Sequence, residues 1–403
     1  MRLTARERAM EAGEHGPAVA KAMEILVALG EIYGAEELVP VVSVQVAGVS
    51  YGNLGQAGLD FLQAWADQGA RVVVPTTLNP AGMDLEAWRQ LGIPESYARR
   101  QLEVIEAYRA MGISASCSCT PYLTGNRPRF AQHLAWSESS AVSYANSVLG
   151  ARTNREGGPS ALAAAITGRT PGYGLHLERN RQATLVVDVK CAPQSWADFG
   201  ALGYLVGRQS GDAVPYFRFG PAESPGLEEL KTLGAAMAAS GAVALYHVQS
   251  VTPEARLRDV VESQAPNLTI KSLDEGYRAL NSPGERVDLV WIGCPHASLV
   301  EIEQTASCLN GKELSSRLWV IAGREVIREA RARGLIARIE ASGGKVVGDA
   351  CLLGAPLVEM GITSLATNSA KAAFYLRSLQ GTQVRFGSLE RCVEAAGTGV
   401  WPA

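Results

Sequence analysis

No stretch of this chain is long and apolar enough to cross a bilayer; its apolar runs, such as AVALYHV and LWVIAG, fall far short of the roughly 20 residues required. Nor is there a concentrated Lys/Arg run, and a formal charge of −3 leaves no basic field for nucleic acid or anionic lipid. The N-terminus, MRLTARERAMEAGEHG, is charged and lacks the apolar stretch of a secretory signal, so export is not expected. GALGYLVG is glycine-rich but is neither a GxGxxG dinucleotide fingerprint nor a GxxxxGK[ST] phosphate loop. GxSxG and HExxH are also missing, which disfavours a nicotinamide dehydrogenase, a serine hydrolase and a zinc hydrolase.

Cysteine is sparse and odd in number: seven dispersed residues make no disulfide framework, and reduced thiols in the cytoplasm are expected. Low-complexity tracts, short repeats and long linkers are absent. What remains is a globular chain of 403 residues, 47% hydrophobic, long enough for two or three packed domains.

The hydrophobic pattern alternates between two periods. AVAKAMEILVALGEIYG repeats at helical spacing, VPVVSVQVAG then reads as a buried strand ending at GVSYGNLGQAG, and LDFLQAWADQG returns to a helix before RVVVP. TLVVDV, PYFRFG, AVALYHV, DLVWIG, RLWVIAG and KVVGDA repeat the rhythm, predicting an α/β protein of several lobes with mainly parallel sheets. Boundaries are expected near 185 and 280, giving lobes 1–185, 186–280 and 281–403, the second cut at the turn-prone NSPGERVD.

In such sheets, ligands bind beyond the carboxyl ends of the strands. Three cysteines occupy loops of that kind: Cys119 in SCSCTPYL, Cys294 in DLVWIGCPHAS and Cys351 in KVVGDACLLGAP. Three converging thiolates could hold an iron–sulfur cluster, although the spacing matches no compact ferredoxin pattern. Cys117, two positions from Cys119, would share its face in a strand. Cys191, Cys308 and Cys392 read as small packed hydrophobes.

Polar residues gather in the same kinds of loop. ARTNREGGPSALAAAITG joins Arg152, Asn154, Arg155 and Glu156 to a helix that Pro159 or Ser160 can start, a pattern equally suited to an anion cradle or a capped helix with surface arginines. WSESSAVSYANS supplies Glu138, Ser139, Ser140 and Asn146 as ligand contacts or as a polar helix start capped by Ser139 or Ser140. Ser50, Tyr51 and Asn53, like Thr76, Thr77 and Asn79 in PTTLNPAGMD, suit either substrate contacts or turn chemistry. His296 in GCPH could bond substrate, water or a cluster ligand, with His176 as second choice; a packed histidine is the plainer reading.

The words PTTLNPAGMD, CTPYL, WSESSAVSYANSVLGARTNREGGPSALAAAITGRTPGYGLHL, IGCPHAS and TNSAKAAFYL together resemble the large subunit of the aconitase X family of iron–sulfur dehydratases, over essentially the whole chain. The resemblance implies an aconitase-like fold around a cleft and an iron–sulfur cluster on Cys119, Cys294 and Cys351, [4Fe–4S] or alternatively [2Fe–2S]. It also implies substrate contacts from Ser50, Tyr51, Thr76, Thr77, Asn79, Glu138, Ser139, Ser140, Asn146, Arg152, Asn154, Arg155 and His296. Single-chain members carry a further small swivelling domain that supplies a catalytic serine. This chain is therefore expected to lack that domain, to take its base from a small partner subunit, and to act on a small anionic substrate. One branch of the family dehydrates 5-phosphomevalonate to trans-anhydromevalonate 5-phosphate in isoprenoid synthesis, and another dehydrates cis-3-hydroxy-L-proline. SVQVAGVSYGNLGQAG leans toward the first. The alternative outside catalysis is a cluster- or metabolite-binding scaffold that regulates a partner.

Overall fold

Thr4 begins the first helix, Ala5–Glu11, through a reciprocal capping box with Glu7, and the chain then builds three parallel sheets in succession. The computed structural model describes residues 1–220, 224–380 and 382–402. The first sheet orders its strands Thr76–Leu78, Val44–Val46, Ala135–Trp136. A short antiparallel pair, Leu38–Pro40 with Arg169–Pro171, lies beside it. The second sheet orders His247–Val248, Pro215–Arg218, Leu185–Val189, Asn267–Ile270. The third has five strands: Lys345–Gly348, Arg317–Ala322, Leu289–Ile292, Ser364–Thr367 and Gln383–Phe386.

That third order reverses direction in the middle. Counted along the chain, the first strand, Leu289–Ile292, lies between the second and the fourth, which makes a topological switch point at the carboxyl ends of Leu289–Ile292 and Ser364–Thr367. Val290, Ile292, Val320 and Ala366 are fully buried, as expected of parallel strands covered on both faces.

Several expected elements shift. RVVVP is not a strand; Val73 is 62% exposed, and the ladder begins only at Thr76. Thr76 and Thr77 are therefore strand residues rather than loop residues. The helix expected from LDFLQAWADQG starts earlier, at Tyr51, and kinks at Gly55, whose φ of 62° suits a residue without Cβ.

The first and third sheets are sewn together by charge and backbone. Ala81 N–H donates to Asp349 O at 2.7 Å and Cys351 N–H donates to Ala81 O at 2.8 Å. Beside this bridge Arg324 grips Asp84 at 2.5 Å and Asp349 at 2.6 Å, both carboxylates being buried. Removing one partner of a buried ion network leaves uncompensated charge, so Arg324→Ala is expected to cost about 3–5 kcal/mol. Urea denaturation checks this; a loss under about 1 kcal/mol, the level of an exposed pair, would show that solvent already screens the network.

Candidate active site

The loops leaving the first and third sheets enclose a cavity of ≈ 300 Å³. Gly48–Ser50, Asn79, Cys119 and Ser137–Ser139 line it from one side; Gly293, Cys294, His296, Ala350, Cys351 and Lys371 line it from the other. Among the described residues, none that lines it comes from the second sheet. A larger groove of ≈ 830 Å³ between the helices Pro17–Ile32 and Tyr51–Asp67 contains Phe61, Trp65 and scattered surface charges but no thiol or histidine. The smaller cavity is the one with convergent chemistry.

Each thiol is held by its own backbone device. Ser118 N–H donates to Leu78 O at 3.0 Å and Gln45 Nε2 donates to Ser118 O at 2.8 Å, fixing the loop that carries Cys119 to the edge of the first sheet. Gly293 has φ +97° and a Cβ there would stand 2.1 Å from Ile321 O, so only glycine permits the turn into Cys294. Ser298 then caps the helix Leu299–Leu309 through a capping box with Glu301. Cys351 follows the backbone bridge to Ala81. Cys119, Cys294 and Cys351 are free thiols.

Their environment is largely buried and electrically balanced. Burial pushes Cys294 up to about 12 and Cys351 up to about 11, with Lys371 pulling each down, and burial raises Cys119 well above the ordinary thiol range. Lys371, in the first turn of the helix Ala370–Gln380, contacts Glu138 and donates to Ser140 Oγ at 3.1 Å. Burial works to raise the Glu138 carboxylate, but the Lys371 charge and the bonds from Lys371, Asn79 and the Ser140 amide outweigh it and hold it at about 2. Burial works to lower Lys371, and Glu138 with Cys294 and Cys119 carries it well above its ordinary value. Asn79 Nδ2 donates to Glu138 Oε2 at 2.8 Å, while Asn79 Oδ1 and Ser137 Oγ are buried with no partner among the described residues. Such orphaned atoms in a cavity wall are ready for a ligand.

The expected site residues divide. Ser50, Asn79, Glu138, Ser139, Arg155 and His296 line the cavity with the three thiols, as does Asn53. Arg155 is exposed at its rim and has no ion pair among the described residues. Ser140 lies behind Glu138, which is itself the cap of the helix Ser139–Ser147; neither serine caps it.

The others lie outside this cavity. Arg152 turns away to Glu178 and to His176 O at 3.3 Å. Asn154 bonds Tyr173 O and the Leu175 amide, and Asn146 is buried against Thr153, Ala244 O and Arg181. Thr76 and Thr77 lie toward a separate cavity with Asn126 and Arg127, because they begin a strand whose carboxyl end faces the cleft. Tyr51 is outside the cavity, its amide bonded to Gln101. Cys117 is fully buried in the first lobe's core, so Cys119 is the thiol of that pair that reaches the cleft. His176 bonds His133 at 2.9 Å, away from the cleft.

Family models for the first, second and third domains of aconitase X match residues 1–179, 183–276 and 287–398. The chain belongs to the aconitase X family. It is 47% identical over 401 residues to a protein of Methanocaldococcus jannaschii named phosphomevalonate dehydratase large subunit, covering 98% of this chain and 100% of that one. The crystal structure of the holo-form of Thermococcus kodakaraensis aconitase X is 48% identical and superposes with a TM-score of 0.91 over 98% of this chain and 100% of that one. A cis-3-hydroxy-L-proline dehydratase of Pseudomonas aeruginosa is 38% identical over 100% of this chain but only 71% of its own length.

An iron–sulfur cluster fits the donor set of this aconitase X chain. Three free thiols from three loops meet in one largely buried cavity beside a buried ammonium. Among the described residues no three His, Cys, Asp or Glu side chains could share a single metal ion. Cys119, Cys294 and Cys351 would instead hold a cluster, whose several irons could share the three thiolates between them. Lys371 was legible only as part of TNSAKAAFYL; nothing in that word singled out its ammonium, because the strand before it, Ser364–Thr367, has no alternating pattern.

Proposed function

We propose that this chain is the large subunit of an iron–sulfur hydro-lyase that converts 5-phosphomevalonate to trans-anhydromevalonate 5-phosphate. The observation that carries the reading is the meeting of Cys119, Cys294 and Cys351 with one buried cation in a cleft, within a chain aligned end to end with a phosphomevalonate dehydratase large subunit. The end-to-end match favours this substrate over cis-3-hydroxy-L-proline, whose enzyme is matched over 71% of its length. The three thiols would hold the cluster, [4Fe–4S] being favoured over [2Fe–2S] because three ligands leave one of four irons open. When bound, such a cluster supplies a Lewis acid for a departing hydroxyl.

The chain's own residues bind and orient. Arg155 at the rim suits the phosphate end, gripping it through two hydrogen bonds. Asn79 Oδ1 and Ser137 Oγ offer unpaired polar atoms deeper in, where the reacting carbons would lie. Lys371 and Glu138 fix the polarity of the floor. Dehydration removes a proton beside the substrate carboxylate and expels the adjacent hydroxyl as water, leaving a carbon–carbon double bond. The proton acceptor is assigned to a small partner subunit over the cleft mouth, in keeping with the large-subunit name of the relatives. A reducing compartment, the cytoplasm, suits the free thiols.

The test is anaerobic co-expression with the small subunit, cluster reconstitution and assay on both substrates. Turnover of 5-phosphomevalonate is expected from the pair and negligible turnover from the isolated chain. Arg155→Ala should lower kcat/KM about ten- to hundredfold, or ~1.5–3 kcal/mol, the worth of a charge-assisted contact. Arg152→Ala should change it by less than about threefold, since that guanidinium faces Glu178. Turnover of cis-3-hydroxy-L-proline alone would move the assignment to that branch, and a binding scaffold would turn over neither.

A further inference from the structure

One side chain touches every loop that carries a cleft thiol. His296 lies two residues after Cys294, and its backbone N–H donates to Cys119 Sγ at 3.1 Å. Its ring Nε2 is 2.9 Å from the carbonyl oxygen of Ala350, the neighbour of Cys351. Its ring Nδ1 is 3.2 Å from Ser118 Oγ, the neighbour of Cys119.

With a neutral ring the hydrogens of this network have one consistent arrangement. A carbonyl oxygen only accepts, so Nε2 carries the hydrogen and donates to Ala350. A neutral ring then presents Nδ1 as a lone pair, and the Ser118 hydroxyl donates to it. Ser118 Oγ accepts in turn from the Thr120 amide and hydroxyl, each at 3.1 Å. Both ring nitrogens are therefore used within the protein, and the residue is 2% exposed.

We infer that His296 is a positioning residue that assembles the three-thiol cradle before any iron arrives, and that it neither binds substrate nor transfers the proton. The inference rests on the reading of Cys119, Cys294 and Cys351 as cluster ligands. Groups that orient metal ligands from behind commonly matter about ten- to hundredfold in metal retention. His296 ties its own Cys294 loop to the Cys351 and Cys119 loops through its two ring nitrogens.

The test uses the full chain with its small partner under nitrogen. His296→Leu removes both ring contacts at similar volume, His296→Gln keeps an amide N–H able to reach Ala350 O, and Ser118→Ala removes only the hydroxyl. Readouts are iron and sulfide per chain, the rate of iron loss to a chelator, alkylation of the three cysteines in the cluster-free chain, and melting temperature. Iron loss should be at least about tenfold faster in His296→Leu, partly restored in His296→Gln, and a few-fold faster in Ser118→Ala with melting almost unchanged. Cys119 and Cys351 should alkylate faster in the leucine variant before any iron is added. His296→Leu that keeps the parent's iron and sulfide but loses turnover per cluster would overturn the inference in favour of a substrate or proton-transfer role. If the leucine variant fails to fold, parent-like iron loss in both His296→Gln and Ser118→Ala overturns it equally. A parent chain that takes up no cluster would instead sink the reading of the cysteines, and alkylation alone would then decide the role of His296: faster modification in Ser118→Ala supports it and unchanged rates reject it.

Discussion

Alanine at Cys119, Cys294 or Cys351, one at a time, should abolish the iron–sulfur absorbance of the anaerobically reconstituted chain, whereas alanine at Cys191 or Cys392 should leave it intact. Each of the first three removes a thiolate donor from the cleft, and a cluster held by three ligands has no spare. Cys392 is fully buried beneath the third sheet and Cys191 packs against the second, and neither lines the cleft. Iron and acid-labile sulfide analysis provides the check. Full occupancy in any of the first three variants would remove that residue from the ligand set, with Cys117 the nearest substitute by sequence but buried outside the cavity.

Lys371→Met should be the most damaging change in the cleft that leaves the thiols in place. It strands the Glu138 carboxylate in a buried site, and breaking a buried pair from one side costs about 3–5 kcal/mol. Glu138 sits at about 2 when folded against an ordinary 4.5, so the pair's stabilisation is complete above about pH 4.5 and is lost as pH falls toward 2. That acid dependence should flatten in the methionine variant. Lys371→Met combined with Glu138→Gln should recover much of the loss, because the stranded charge is gone. Urea melts between pH 3 and pH 7 on the four proteins close the double-mutant cycle. A double variant no more stable than Lys371→Met would show that packing of the lysine stem, rather than charge, carries the effect.

How much of this was legible depended on whether the signal was local. DLVWIG, RLWVIAG and KVVGDA are dense apolar runs, and the strands Leu289–Ile292, Arg317–Ala322 and Lys345–Gly348 lie within them. Ser364–Thr367 and Gln383–Phe386 escaped notice because their residues mix polar and apolar types and derive their strand state from neighbours in the sheet. RVVVP misled in the opposite direction: its valines satisfy a strand pattern, but Val72 and Val73 donate to Met111 and Ala165, outside any ladder. Cys294 and Cys351 follow words that are strands, Leu289–Ile292 and Lys345–Gly348, whereas Cys119 follows an extended segment that makes only an isolated bridge, Ser114 to Thr77. The placement of the two arginines was not readable, since ARTNRE fixes both in sequence but only the register of the loop sends Arg155 to the rim and Arg152 to Glu178. The contacts of Lys371 with Glu138 and of His296 with Ser118 are long-range facts, joining residues 233 and 178 positions apart, and His296 reaches Ala350 across 54.

The division of the cavity between the first and third sheets also fixes when it can exist. Synthesis runs from the N-terminus, and domains tend to fold as they emerge. The first sheet can close with Cys119 facing an open edge, followed by the second sheet, while the third still lacks the strands that present Cys351 and Lys371. For most of its time on the ribosome the chain therefore offers a single thiol without its companions or its counter-cation. On the proposed reading of the three thiols, the complete cradle with its counter-cation forms only after Lys371 has emerged.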